Sequence, residues 1–354
     1  MKRLLTIVAT ALVLTGCTQH ELLVPRAEVT FGPSTISTKA LINPWGAENG
    51  EISFPQTESF AVSAIVDDDP ENFLMNNVLI ENREGEWKAA SENVYLWPEK
   101  GTVDFYAYYP YSAENARLQL VNETFRWNLS NVNLGSTIGD QIDPLVATTN
   151  DQIATEMPVV KMVFKHISSQ VVVMARDATT RDELKGKIRL KEVKINGVSI
   201  KGDYLDGPEP GKGGEWTNQD HSTEFVLFQG NEYLTEDDRY LNIDQLSDDK
   251  ENCALFVVVP TPLNTDVQTI SVVYDIDEFT LNGQIYSARP DQKASVSLYD
   301  YNKNWEFKAG VRYVYHLGFS MNGANNEIRF EPVVSGWEQE DINNIVFDCF
   351  AGKY

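Results

Sequence analysis

The sequence predicts an all-β protein. Short segments rich in β-branched and aromatic residues recur along the chain, and they alternate in polarity or form apolar runs of strand length. Turn-forming residues separate these segments, and no segment has a long amphipathic period of 3.6 residues; at most, 179–187 holds a helical turn. Eight strand regions are predicted in this way: 60–66, 103–109, 159–175, 188–197, 253–260, 269–276, 311–319 and 327–334.

Asn-Gly pairs mark three predicted turns, at 196–197, 282–283 and 322–323. This dipeptide is preferred in two-residue hairpin loops because both positions take positive φ.

The chain begins with an export signal. A basic start precedes a short apolar stretch (4–14), which is well below the roughly 20 residues that a membrane span needs. The stretch ends in the letters LTGC, which match the bacterial lipobox. We therefore predict a lipoprotein signal peptide over residues 1–16 and lipidation of Cys17, which would anchor the mature protein to a membrane.

The mature chain is strongly acidic. Without residues 1–16 it has 27 basic and 52 acidic residues, a net charge of −25. Such a surface repels nucleic acid and anionic lipid headgroups, so neither is an expected partner. A length of about 338 mature residues predicts two domains. The polar stretch 144–158 follows the first set of strands, which places the domains at 17–155 and 156–354.

Catalytic and metal-binding motifs are absent from the sequence, so we expect no enzyme activity, no cofactor and no metal site. His166 stands in an apolar strand close to Ser168, and we interpret it as a buried, hydrogen-bonded residue at a domain seam. The acidic runs 67–69 and 235–238 lack the spacing of a calcium loop and are typical of solvated turns. Whether Cys253 pairs with Cys349 stays open.

The stretch 103–111, VDFYAYYPY, is the densest aromatic segment of the chain. In an extended strand, Phe105 and Tyr109 share one face, which we predict to be buried, whereas Tyr106 and Tyr108 share the other. Sugar-stacking rings more often project from loops. We therefore interpret this stretch as a core strand whose second face flanks a sandwich, with the tyrosine hydroxyls reaching water or a partner.

An ordered set of loose motifs resembles the fimbrillin-like lipoproteins, which are subunits of type V pili. A Trp-Pro step, a turn and a strand with FYAYYP (92–111) are followed by DPLVATT (143–149), FKHISSQVVV (164–173) and VVSGW (333–337), all behind a lipobox. The resemblance covers most of the mature chain. It implies two tandem transthyretin-like β-sandwich domains and a location on the outer membrane and in the surface fimbrium.

The resemblance also implies assembly by strand exchange. A trypsin-like protease cuts such subunits after an arginine and removes the first strand, and a neighbouring subunit's strand fills the groove. Arg26, followed by Ala27, is the predicted cleavage position because the alternating sequence AEVTF follows it. The alternative is an uncut linker, since anchor and accessory subunits need no processing.

The C-terminal tail is the predicted donor strand. Ile345, Phe347 and Cys349 alternate on one face of NNIVFDCF (343–350), where they would enter the groove vacated near Arg26. The alternative is an edge strand that closes its own domain.

The predicted function is therefore a structural and adhesive subunit, in a stalk, tip or anchor position. Its partners would be other pilus subunits, the outer membrane and a ligand on a host or bacterial surface. The alternative function is a surface lipoprotein that binds glycans for nutrient uptake.

Overall fold

The computed structural model describes residues 26–36, 51–153, 159–209, 212–220, 223–242, 244–248, 256–265, 267–300, 306–321, 338–339 and 345–348. These residues form strands and two single 3-10 turns, at Ile138–Asp140 and Asp182–Leu184, with no α-helix among them. The predicted all-β sandwich fold is confirmed. None of the described residues forms a helix that could cross a membrane.

The strands are numbered in chain order. The first ten are β1 (Thr30–Ile36), β2 (Glu51–Ser53), β3 (Ser59–Val66), β4 (Phe73–Arg83), β5 (Glu86–Ala89), β6 (Val103–Tyr109), β7 (Ala116–Val121), β8 (Thr124–Asn133), β9 (Leu145–Gln152) and β10 (Val159–His166). The others are β11 (Ser169–Asp177), β12 (Ile188–Val198), β13 (Lys201–Leu205), β14 (Glu215–Thr217), β15 (Thr223–Tyr233), β16 (Arg239–Leu241), β17 (Leu246–Ser247), β18 (Val257–Val258), β19 (Thr269–Ile276), β20 (Phe279–Leu281), β21 (Gln284–Tyr286), β22 (Arg289–Ser297), β23 (Val311–Ser320), β24 (Glu338–Gln339) and β25 (Ile345–Asp348).

The first half of the chain forms a sheet that closes on itself. Its order is β10-β9-β6-β3-β4-β5-β1-β2, and β1 pairs in addition with β10. The side chains inside the closed sheet form an aromatic-rich core, which includes Phe60, Phe105 and Phe164, all with no exposed surface. Because successive side chains of a strand point to opposite faces of the sheet, every second residue enters this core.

A small second sheet covers the outer side of β3 and β6. Its order is β14-β13-β8-β7, so it joins strands from both halves of the chain. Trp127 and Tyr204 from this sheet pack against Tyr106 and Tyr108 of β6 in a second apolar cluster. As a result β6 is buried on both faces.

The second half is a sandwich of two sheets around one large core. One sheet contains β11 and β23 in parallel, and the other has the order β15-β12-β19-β22. Val171 and Tyr315 from the first of these sheets and Val193 from the second belong to this core. The chain changes sheet between β10, which pairs with β1 and β9, and β11, which pairs with β23. The division at 155/156 stays a prediction.

Most predicted strands are confirmed within the described residues. Regions 60–66, 103–109, 188–197, 269–276 and 311–319 each lie in one strand, 159–175 forms two strands, and 253–260 contains β18. The helical turn predicted within 179–187 is present as a 3-10 turn. Region 327–334 lies outside the described residues.

One predicted turn is wrong. The Asn-Gly pair at 196–197 is no turn: it lies inside β12, where a bulge gives Gly197 a φ of +71°. By contrast, Asn282-Gly283 does form the tight turn between β20 and β21. The polar stretch 144–158, in which the domain boundary is predicted, contains the strand β9 in its first half.

Candidate functional site

The first strand fills the core of the closed sheet with alternate side chains. Val29, Phe31 and Pro33 are buried, whereas the residues between them are half-buried. The Phe31 ring lies 6.1 Å from the Phe60 ring and 5.8 Å from the Phe105 ring, in edge-to-face contacts typical of aromatic cores. The alternation in AEVTF signals a strand, but nothing in the sequence shows which core it enters.

Main-chain pairing holds β1 mainly from one side. It runs parallel to β10 over six register pairs, from Thr30 opposite Val159 to Thr35 opposite Phe164. On the other side it meets β5 only where Phe31 lies opposite Trp87, before pairing with the short β2. Without β1 the sheet would be open, with the edge of β10 and the aromatic core exposed.

Arg26 and Ala27 lie on the surface, at the start of the segment that leads into β1. The Arg26 side chain is 48% exposed and forms an ion pair with Glu99, and this contact lowers the pKa of that carboxyl. The backbone then runs along the segment before Glu99: Trp97 N–H donates to the Ala27 carbonyl at 3.1 Å, and Val29 N–H donates to the Tyr95 carbonyl at 2.8 Å. Arg26 is therefore reachable, while the strand after it is anchored.

Among the described residues, the strand that fills the groove lies after the predicted cleavage position: β1 begins at Thr30, on the C-terminal side of the Arg26–Ala27 peptide bond. Cleavage after Arg26 stays a prediction. Cleavage there would detach residues 1–26 and leave β1 joined to the rest of the chain through 37–50. Vacating the groove then also requires β1 to unpair from β10.

The predicted donor segment forms β25 in its own chain. It pairs in parallel with β23, from Leu317 opposite Ile345 to Ser320 opposite Asp348, so Phe347 lies opposite Phe319. This pairing suits both an edge strand and a donor that has not yet left, so the donor role stays a prediction. Cys17 and Cys349 lie outside the described residues.

The comparisons with known proteins assign the family. The family model described as fimbrillin-like matches residues 38–337. This chain belongs to the fimbrillin-like family. A search of curated proteins finds no match.

A solved structure shares the fold of this fimbrillin-like chain. A fimbrial protein from Bacteroides vulgatus is 15% identical, with a TM-score of 0.52 over 82% of this chain and 95% of its own. A candidate cell adhesion protein from Bacteroides uniformis is also 15% identical, with a TM-score of 0.46 over 83% of this chain and 94% of its own. The first of these likenesses supports the fold.

The aromatic stretch of the fimbrillin-like chain is a core strand, as predicted. Phe105 and Tyr109 are buried in the closed sheet. Tyr106 and Tyr108 are buried too, because the small second sheet covers the face that was expected to flank the sandwich. The Tyr108 hydroxyl donates to the Ser112 carbonyl at 2.6 Å, and burial raises the pKa of Tyr108 to about 12.

The interpretation of His166 as a buried, hydrogen-bonded residue is confirmed. Its Nδ1 lies 2.6 Å from the Asp143 carboxylate, whose other oxygen accepts a hydrogen bond from the Ser168 hydroxyl at 2.5 Å. Nearby, the Gln141 side chain donates to the Val257 carbonyl at 3.0 Å and accepts from the Val257 N–H. These bonds tie the end of the first sheet to the second sandwich.

Acidic side chains meet beside the turn that was interpreted as solvated. Asp104 accepts a hydrogen bond from the Asp151 N–H at 2.6 Å. Burial, together with the neighbouring Asp68 carboxylate, raises the pKa of Asp104 to about 6. Within the described part of the chain, no group of three or more acidic, histidine or cysteine side chains is arranged to hold a metal ion.

Proposed function

We propose that this chain is a structural and adhesive subunit of a type V pilus on the bacterial surface, joined to its neighbours by strand exchange. Family membership supports a structural role rather than an enzymatic one. The observation that carries the proposal is the position of β1: its apolar side chains fill the core of a closed sheet, and main-chain pairs join it to β10, β5 and β2. A strand of the same alternation from another subunit would fit this position.

The proposed assembly starts at Arg26. Cleavage after this residue releases the lipid anchor at Cys17 and frees the N-terminal end of β1. The donor strand then displaces β1 from β10, which replaces one set of main-chain hydrogen bonds by another. Ile345, Phe347 and Cys349 of the neighbour take the places of Val29, Phe31 and Pro33.

N-terminal sequencing of trypsin-treated protein tests the processing step. The experiment uses the chain from Thr18 onward, and we expect a new N-terminus at Ala27. Lys39 is the basic residue that follows β1, so a new N-terminus at Ala40 would instead mean that β1 is excised. That result would contradict processing at Arg26 and leave strand exchange in place.

Polymerisation of the cleaved chain tests strand exchange itself. We expect ladders that resist heat on a denaturing gel, because the inserted donor strand would lose its main-chain pairs and its buried apolar side chains if it left without a replacement. Deleting 343–354 should give a folded monomer that forms no ladder, and deleting only 351–354 is the matched control. Normal ladders from the longer deletion would rule out the tail as donor.

A disulfide across the β1–β10 pair tests whether β1 must leave. Thr30 and Val159 are direct partners in the register, at a spacing that suits a disulfide. The Thr30→Cys, Val159→Cys double variant should form no ladder when oxidised and should form ladders after reduction. The chain with only its native cysteines is the control for the reducing agent.

A further inference from the structure

A cavity of about 230 Å³ opens beside the end of β6. Its walls come from the loop that follows β6, the start of β7 and the end of β8. Ala116 and Leu129 on these walls belong to the cluster under the small second sheet, on the side of β6 away from Phe31. Tyr109 and Ile142 line it from the side of the core that Phe31 enters, but no residue of β1 lines it.

The lining of the cavity is uncharged. Fifteen described residues line it, and none of them is acidic or basic, although acidic and basic side chains make up 23% of the whole sequence. Tyr111 and Pro110 supply flat apolar surface. Asn115, Asn131 and Asn133 supply amides, which both donate and accept hydrogen bonds.

Several of these polar groups have no hydrogen-bond partner among the described residues. The Asn131 side chain is exposed and makes no side-chain hydrogen bond within the described residues, while its main-chain N–H donates to Asp203. The Asn115 side chain is likewise exposed and makes none there, while its main-chain N–H donates to the Ser112 hydroxyl and its carbonyl accepts from the Ser130 N–H at 2.7 Å. The Tyr111 ring is half-buried against the cluster below it, and its hydroxyl makes no bond in this part of the chain.

We infer that this cavity binds one ring of a neutral carbohydrate. A sugar presents hydroxyl groups that pair with amides, and an apolar ring face that packs on tyrosine or proline. The volume is below the roughly 300–1,000 Å³ of sites for drug-sized ligands, which suits a single ring. The strong negative charge of the protein disfavours anionic sugars. Neither β1 nor the predicted donor segment lines this site, so its binding is measured on the monomer without polymerisation.

Saturation-transfer NMR with the soluble chain from Thr18 onward tests the inference. The probes are glucose, galactose, mannose and N-acetylglucosamine, with glucuronic acid as the charged comparison. A ligand of this size with ordinary efficiency should bind with a Kd of about 1 mM. We expect at least one neutral sugar to show saturation transfer and glucuronic acid to show little. No signal from any neutral sugar, or an equal signal from the acid, would overturn the inference.

Three variants locate the binding. Tyr111→Ala should weaken it at least tenfold, and Asn131→Gly should weaken it several-fold while glycine keeps the positive φ of 53° at that position. Tyr233→Ala, at an exposed tyrosine of β15, is the matched control and should bind as wild type does. Thermal unfolding of each variant shows that it is folded. Wild-type affinity in folded Tyr111→Ala would show that the sugar binds elsewhere and refute the site.

Discussion

Single side chains in this protein set how its stability depends on pH, and Asp104 is the clearest case. Its pKa is raised to about 6 from the usual 3.8, so the folded chain holds this proton more tightly than the unfolded chain does. The stability that protonated Asp104 contributes is fully present below about pH 4 and is lost as the pH rises through about 6.

We expect Asp104→Asn to be more stable than wild type at pH 8 and nearly equal to it at pH 4, in urea unfolding. The amide is neutral at both pH values and keeps an oxygen for the Asp151 N–H. Asp203→Asn is the opposite control, since hydrogen bonds from Asn131 and Asn218 lower the pKa of Asp203. It should lose stability at pH 8. A less stable Asp104→Asn at pH 8 would contradict this account.

Alanine substitutions at two glycines with positive φ distinguish the cost of backbone strain from the cost of a steric clash. Gly283, with φ +78°, has open space where a Cβ would stand, so Gly283→Ala should cost about 1 kcal/mol of unfolding free energy. Gly197, with φ +71°, would place its Cβ 2.2 Å from the Val267 carbonyl oxygen. Gly197→Ala should therefore cost at least about twice as much. Equal losses in urea unfolding would mean that the bulge at Gly197 relaxes.

Among the elements, β1 places buried side chains in the core of the closed sheet but pairs over a long stretch with one strand only, β10. Phe31→Ala should lower the unfolding free energy of the uncut chain by about 3–5 kcal/mol, because it leaves a cavity among Phe60, Phe105 and their neighbours. Leu120→Ala, at a half-exposed leucine of β7, should change it by less than about 0.5 kcal/mol.

Phe31→Ala also shows whether β1 or a donor strand occupies the core in the polymer. Once a donor strand occupies the core, Phe31 no longer contributes, so ladders of Phe31→Ala should resist heat as well as wild-type ladders do. If the variant ladders melt earlier than wild type, β1 remains in the core of the polymer.

Elements with a local signal were predictable from the sequence, and the pairings between distant segments were not. β3, β6 and β19 carry dense apolar or alternating runs, so their positions follow from composition alone. β7 and β8 were missed because arginine, glutamine and asparagine interrupt their apolar positions. The alternating sequence after Arg26 indicates a strand, but the parallel pairing of β1 with β10 joins segments that are far apart in the chain, and no local pattern predicts it.

At the scale of the whole molecule, one side chain joins the two halves. Gln141 satisfies both main-chain groups of Val257, and it is buried. Gln141→Ala would leave a buried N–H and a buried carbonyl without partners, which should cost about 2–4 kcal/mol in urea unfolding. Gln141→Met keeps the volume and should lose nearly as much. If Gln141→Met has the same unfolding free energy as wild type, packing and not hydrogen bonding holds the two halves together at this position.

The net charge of the chain should control how fast subunits meet. At −23 before processing, identical molecules repel one another, and salt shortens the reach of this repulsion to about 10 Å at 0.1 M. Ladder formation by the cleaved chain should therefore speed up as sodium chloride rises from about 20 to about 200 mM. Uncharged osmolyte at equal osmolarity is the control. A rate that falls with salt would point to attraction between opposite patches.

The closure of the first sheet by its own β1 affects how long the protein stays monomeric in solution. While β1 is paired with β10, the edge of β10 is not available to a strand of another chain, so we expect the monomer not to associate through this edge even in concentrated solution. Once β1 has left the sheet, every molecule exposes the same edge of β10 and the same aromatic core to other chains. The lifetime of the monomer is therefore set by the rate at which β1 dissociates from the sheet. We expect this lifetime to fall far more steeply with temperature than with protein concentration.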